Sequence, residues 1–239
     1  MATSEYYTRV LPNGLLLVAE HLHGVRSAAF QILVPAGAIT DPDGREGACS
    51  VLEGMLYRGA GTRDARALSA ALDELGIQRG GGAELEHLTL SGALLADDLP
   101  RALDLYGDIV RRPHLAAEQF PPERDLALLR LQRLRDNPQE RLFVELRRAF
   151  FAGPFGRSAY GTEEGLRALT AEEVRADHAR RFRPGGTILA VAGAFRWDEL
   201  SDTVDRIFGD WKGSAPPPPA PVGGEQPRYL HVPVESAQE

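Results

Sequence analysis

The sequence predicts an α+β fold, an antiparallel sheet with helices packed on one face. Three observations carry that expectation. Strand-type runs are joined by short turn signals, as in "YYTRV", "PNG" and "LLLVAEHLH". The apolar period switches from strand-like to helical near Ala48. The elements then follow in the order β-β-β-α-α-β-β-α-α-α-α-β-α, without the regular strand–helix alternation of a parallel sheet.

After the opening hairpin, "VRSAAFQILVPAG" continues as a third strand bounded by Pro35 and Gly37. "AITDPDGREG" is turn chemistry. Val51, Leu52, Met55 and Leu56 fall at helical spacing, so residues 46–58 form a helix with one apolar face, ended by "RGAGT". Asp64 caps a second helix, "ARALSAALDELG", which Gly76 closes. "IQRGGGAELEHLTLSGALL" reads as a strand, a glycine-rich segment and another strand. Asp97 and Asp98 open the helix "LPRALDLYGDIVRR", with Pro100 in its first turn, and Pro113 stops it. "AEQFPPERDLALLRLQRLRDNP" is a long helical stretch with an apolar seam of Leu126, Leu129 and Leu131. "PQERLFVELRRAFF" is one more helix, and "AGPFGRSAYGTEEG" is a loop. Thr170 and Glu173 make a capping box for "TAEEVRADHARRF". "TILAVAGAF" is a buried strand and "RWDELSDTVDRIFGDW" a last helix. "APPPPAPVGG" is a polyproline linker, and "RYLHVPV" after it reads as a further strand. The folded unit is expected to span residues 1–213, with 214–239 a linker into the start of a second domain.

The bulk numbers exclude several classes of function. A chain of 239 residues suffices for one large domain or two small ones. Hydrophobic residues at 43% and charged residues at 26% are the balance of an ordinary globular protein. A net charge of −7 argues against a nucleic-acid surface, which needs a basic face. No apolar run approaches the ~20 residues that cross a bilayer, and the N-terminus has no signal-peptide pattern. Cys49 stands alone, so no intrachain disulfide is possible and a cytoplasmic location is expected.

Zinc needs three or four N, S or O ligands that converge on one point. In the helix at 46–58, the residues at i and i+4 on the Glu53 side are Ser50 and Gly54, a poor ligand and none. No H-x-x-x-H pair exists, and His21 and His23 read as two surface residues of a strand. "GACSV" is not a serine-hydrolase elbow. Cys49 reads as a small buried residue. The run Gly80, Gly81, Gly82, Ala83 lacks the Gly-Lys-Ser/Thr ending of a phosphate loop, and it reads as strand that another backbone approaches closely.

In order and spacing, these segments resemble the pitrilysin, insulysin and mitochondrial-processing-peptidase group of metallopeptidases. "LPNGLLLVAEH" is similar to the family's opening strand, "NG" and strand. "REGACSVLEGMLYRGAGT" is similar to its H-x-x-E-H helix and the "G-T" that follows. On that motif Ser50 stands at the first histidine ligand, Glu53 at the general base and Gly54 at the second histidine. "ERDLALLRLQRLRDNP" is similar to the family helix that carries the third ligand, a glutamate, and Arg130 stands there. Glu123 matches a helix glutamate that supports the site. The resemblance covers residues 5–212.

The resemblance therefore implies a member with all three metal ligands replaced. Arg130 would oppose Zn²⁺ by like charge, and Glu53, without a metal to activate water, would be a relic of a base. No zinc and no hydrolysis by the chain alone are expected. The implied role is a non-catalytic subunit of a heterodimeric peptidase. It would form the chamber wall and hold unfolded peptide, through Gly80–Ala83, for a partner that carries H-x-x-E-H. The alternative is a structural core subunit of a larger assembly. A further reading, an enzyme with an unforeseen site, would rest on Glu53, Glu123 and His87.

Overall fold

The computed structural model describes residues 4–214, 217, 219–223 and 231. In chain order its elements are β1 (Ser4–Val10), β2 (Leu16–Leu22), β3 (Ser27–Val34), α1 (Ala48–Leu56), β4 (Gly59–Ala60), β5 (Arg63–Asp64) and α2 (Ala65–Glu74). They continue as β6 (Gln78–Ala83), β7 (Leu88–Leu95), α3 (Leu99–Arg111), α4 (Phe120–Arg135), α5 (Pro138–Phe150) and β8 (Phe151–Ala152). The last are α6 (Glu163–Ala168), α7 (Ala171–Arg181), β9 (Ile188–Gly193), α8 (Trp197–Phe208) and β10 (Val222–Gly223). Most of 214–239, including the strand expected over 228–234, lies outside the described residues.

Six strands form the main sheet in the order β1-β2-β9-β3-β7-β6. The α+β expectation holds, and the pairings are antiparallel except that β2 and β9 run parallel. The third strand does not extend the opening hairpin, because β9 is inserted between β2 and β3. Composition explains the choice: in "ILAVAG" Leu189 and Val191 are buried on one face, while Ala190 and Ala192 lie on the other. Such a strand loses least in the middle of a sheet.

The alternation in β3 sorts the two faces. Ala28, Phe30, Ile32 and Val34 are buried, and their ladder partners Leu88, Leu90, Leu94, Leu189 and Val191 are buried with them. On this face α1, α3 and α8 contribute Leu52, Met55, Tyr106, Val110, Val204 and Phe208. Phe30 and Tyr106 meet edge to face at 4.7 Å between ring centroids. The opposite face carries small and polar residues, among them Thr8, Gln31, Ser91 and Ala190. It forms a concavity of about 720 Å³.

Two expectations need correction. The loop expected over 152–165 ends in a helix: α6 starts at Glu163, and the Thr162 hydroxyl accepts from the Gly165 amide at 3.0 Å. Of the apolar seam expected on α4, only Leu131 packs against the core. Leu126 and Leu129 are exposed, and the helix turns Phe120, Glu123, Ala127 and Leu134 inward. The reason is that α4 packs against α1 where Glu123 has a partner to meet.

A buried ionic knot sets the position of α1. The Arg181 side chain, at the end of α7, is fully buried. Its guanidinium donates to Asp177, to Asp41 at 3.1 Å, to the Thr40 hydroxyl at 2.9 Å and to the Ala36 carbonyl at 2.9 Å. Asp41 in turn accepts from the backbone amides of Gly47 at 2.8 Å and Cys49 at 3.0 Å. Those amides open α1, so a carboxylate six residues upstream of Gly47 caps the helix.

On α7, His178 is largely buried with Nε2 3.0 Å from the Val110 carbonyl. Burial lowers its pKa to about 4, although the hydrogen bond opposes that shift. The unfolded chain takes a proton near pH ~6.5 while the native state stays neutral. Stability is therefore complete above that pH and falls as pH drops toward 4, by up to about 3 kcal/mol. Thermal melts across this range should show the decline in the parent chain and a flatter profile in His178→Gln. Equal slopes in the two proteins would refute the assignment.

Candidate functional site

The helix α1 carries two kinds of side chain. Val51, Leu52, Met55 and Leu56 are fully buried against the sheet. Glu53 and Gly54 instead border a cleft of about 390 Å³, closed by Arg58 after α1, Ser69 on α2, Arg79 on β6, and Glu123 and Arg130 on α4.

Within the cleft, Glu123 is buried, and its Oε1 accepts from Arg58 Nε at 2.5 Å. Its other oxygen faces Gly54: a Cβ built on that glycine would lie 2.1 Å from Glu123 Oε2. The carboxylate thus fills the volume that any side chain at position 54 would need. Glu53 is about one-fifth exposed (21%), with Oε2 3.6 Å from Arg130 Nη1. Burial pushes the Glu53 carboxyl above the usual carboxylate range; Arg130 opposes this and Glu123 adds to it. Ser50 is buried one turn before Gly54.

Of the residues expected at the ligand positions, Gly54 on α1 and Arg130 on the facing α4 line the same cleft, while Ser50 is buried one turn before Gly54 and does not line it. The three do not fit zinc. They offer a hydroxyl, a glycine and a guanidinium, and the guanidinium has no lone pair to give. Among the described residues, no three His, Cys, Asp or Glu side chains lie close enough together to hold a metal ion. His87 sits beyond β6 and does not line the cleft. Cys49 is fully buried, and burial raises its thiol pKa well above the ordinary value. His21 is half-buried, its ring edge-on to Phe195 at 5.5 Å, and His23 is exposed beside Glu5 at 3.5 Å.

Gly80, Gly81, Gly82 and Ala83 form regular ladder pairs with β7. They belong to β6, which ends the sheet order, so one side of their backbone has no strand partner among the described residues. Gly81 has φ 113°, and a Cβ there would meet the Thr89 carbonyl oxygen at 2.1 Å, so only glycine fits. The strand passes beside the mouth of the cleft, because Arg79 lines it and Gly80 follows. Sequence reading did not single out Arg58 or Arg79. Arg58 follows the motif directly, and Arg79 precedes the glycine run; in each case the signal was a cation at a site already marked.

Comparison with known proteins bears on the family and the fold. Residues 16–163 match the family described as "Insulinase (Peptidase family M16)", and residues 168–238 match "Peptidase M16 inactive domain". The boundary between the two matches does not divide the sheet: β9, in the second, lies between β2 and β3, in the first. An "uncharacterized zinc protease" of Mycobacterium leprae is 33% identical over 212 residues, covering 87% of this chain and 48% of the relative. The "probable mitochondrial-processing peptidase subunit beta" of Arabidopsis thaliana is 24% identical over 87% of this chain and 39% of its own. The chain spans about half the length, or less, of these curated relatives. A protease from Helicobacter pylori shares the fold at TM-score 0.81 and 18% identity, over 91% of this chain and 54% of that one. The peptidase M16 inactive domain from Pseudomonas fluorescens gives TM-score 0.80 at 19% identity, over 89% and 52%.

Proposed function

Because the chain belongs to the insulinase family of peptidases, family M16, we propose that it is a zinc-less, non-catalytic member that holds extended peptide for a catalytic partner subunit. Residues 1–213 act as one domain of the peptidase type, and its sheet and cleft form part of a chamber wall. The observation that carries this reading is the occupation of the ligand positions. Glu123 fills the space beside Gly54, and Arg130 faces Glu53 where a cation would have to sit. A metal placed there would meet a guanidinium and one carboxylate already engaged by Arg58.

Peptide holding rests on β6. A free strand edge is a template for an extended chain, which gains backbone hydrogen bonds without sequence preference. The glycines keep that edge bare and let a second backbone approach.

The test has two parts. Elemental analysis of the purified chain should find no stoichiometric zinc, and the chain alone should cleave no unfolded peptide with or without added zinc. Mixed with a family subunit that carries an intact H-x-x-E-H motif, it should raise that subunit's turnover. A partner indifferent to the chain would sink the proposal, as would one tightly held zinc per chain.

A further inference from the structure

The cleft beneath β6 is not merely an emptied metal site. Three guanidiniums line it, from Arg58, Arg79 and Arg130, against the two carboxylates of Glu53 and Glu123. Arg58 is spent: it holds Glu123 in a tight pair. The other two are loosely engaged. Arg130 has Glu53 at 3.6 Å, and Arg79 has Asp73 at 3.6 Å. A charge-assisted hydrogen bond runs at about 2.7–2.9 Å, so neither cation has its fork filled. Each guanidinium carries five N–H donors in a planar array that matches a carboxylate in two-point fashion. The side chains are 40% and 48% exposed, which leaves both within reach of a ligand in the cleft.

Position gives these cations a meaning. Arg79 belongs to β6 and immediately precedes Gly80, so a peptide paired along the free edge passes beside it. Side chains on such a peptide alternate, and every second one points toward the helix side of the edge. We infer that the cleft reads a carboxylate on the bound peptide, held between Arg79 and Arg130, so that the peptides this chain holds are acidic at one position. The inference rests on β6 as the peptide-holding edge. The carboxylate belongs either to an Asp or Glu side chain or to the peptide's C-terminus, since both present the same two oxygens.

Fluorescence anisotropy with labelled, unstructured peptides tests this on the full chain. Four probes share one β-branched sequence: a central Glu with an amidated C-terminus, Gln in its place, Lys in its place, and the Gln peptide with a free C-terminal carboxylate. The Glu peptide should bind about tenfold or more tightly than its Gln isostere, and the Lys peptide more weakly still. That preference should shrink with added salt. If the free-acid Gln peptide is the one favoured, the terminal carboxylate is the ligand, and the inference stands with that source. Arg79→Gln and Arg130→Gln should each remove most of the preference, with thermal melts confirming that both variants fold. If all probes bind equally, or the preference survives in both variants, the carboxylate reading is overturned while peptide holding stands. If no probe binds, peptide holding itself fails and takes this inference with it.

Discussion

Replacing Arg181 by alanine is expected to destabilise the protein by about 3–5 kcal/mol, the range for removing one partner of a buried ion pair. The size follows from what is left behind. Asp41 and Asp177 lose their shared cation while both remain buried, and the Thr40 hydroxyl and Ala36 carbonyl lose their donor. Burial already pushes the Asp41 carboxyl up, and Arg181 is the main influence holding it down. Without Arg181, Asp41 is driven toward its neutral form and accepts more weakly from the Gly47 and Cys49 amides. For a chain of this size the loss corresponds to a fall in Tm of roughly 10 °C. Arg181→Lys should recover little, because one ammonium cannot serve two carboxylates and a carbonyl on different sides of a planar fork. Urea denaturation gives the global figure. Hydrogen exchange gives the local one: the Gly47 and Cys49 amides should lose protection more than the middle of α3. A loss below about 1 kcal/mol would show that the knot does not hold α1.

Much of this fold was legible because local chemistry and tertiary packing agreed. Val51, Leu52, Met55 and Leu56 gave α1 its buried face by period alone, and all four are fully buried. The Thr170–Glu173 capping box opens α7, and the Asp64 carboxylate accepts from the Ala67 amide at 2.8 Å to open α2. Legibility failed where an element answers to a distant partner. Nothing local in "ILAVAG" says that it separates β2 from β3; the choice follows from its small, two-faced composition once the helices have closed over one side. The inward face of α4 holds a glutamate, so hydrophobic periodicity pointed to Leu126 and Leu129, which are exposed. The Asp177–Arg181 spacing on α7 is a visible i, i+4 pair, but such pairs usually sit on solvated faces. Its burial depends on Asp41, 140 residues away in sequence. In the site, Ser50, Gly54 and Arg130 were marked by the motif they interrupt and Glu53 by the one motif position that is kept. Arg79 acquires its place only when β6 is laid against the cleft.

The sharpest expected result concerns Gly54 and reverses sign with background. In a helix interior, Gly→Ala ordinarily stabilises by about 1 kcal/mol. Here Gly54→Ala should instead destabilise by about 1–2 kcal/mol, since the new Cβ would lie 2.1 Å from Glu123 Oε2. The carboxylate must swing away, and it cannot do so freely, because it is buried and held by Arg58 at 2.5 Å. In the background of Glu123→Ala the obstruction is gone, and Gly54→Ala should become stabilising by up to about 1 kcal/mol. Glu123→Ala alone costs the buried pair, offset in part because Arg58 is 43% exposed and can turn to water. The interaction energy from the four proteins is therefore expected near 2–3 kcal/mol, well above the ~0.5 kcal/mol at which independent sites add. Equal effects of Gly54→Ala in both backgrounds would mean that Glu123 does not occupy the space beside Gly54. The cycle also bears on why the frame of the motif survives. If the coupling is large, Gly54 is kept small by the Glu123 carboxylate beside it. The helix would then be maintained by its own repacked interior and by the Arg181 knot at its start, with no metal needed to hold it.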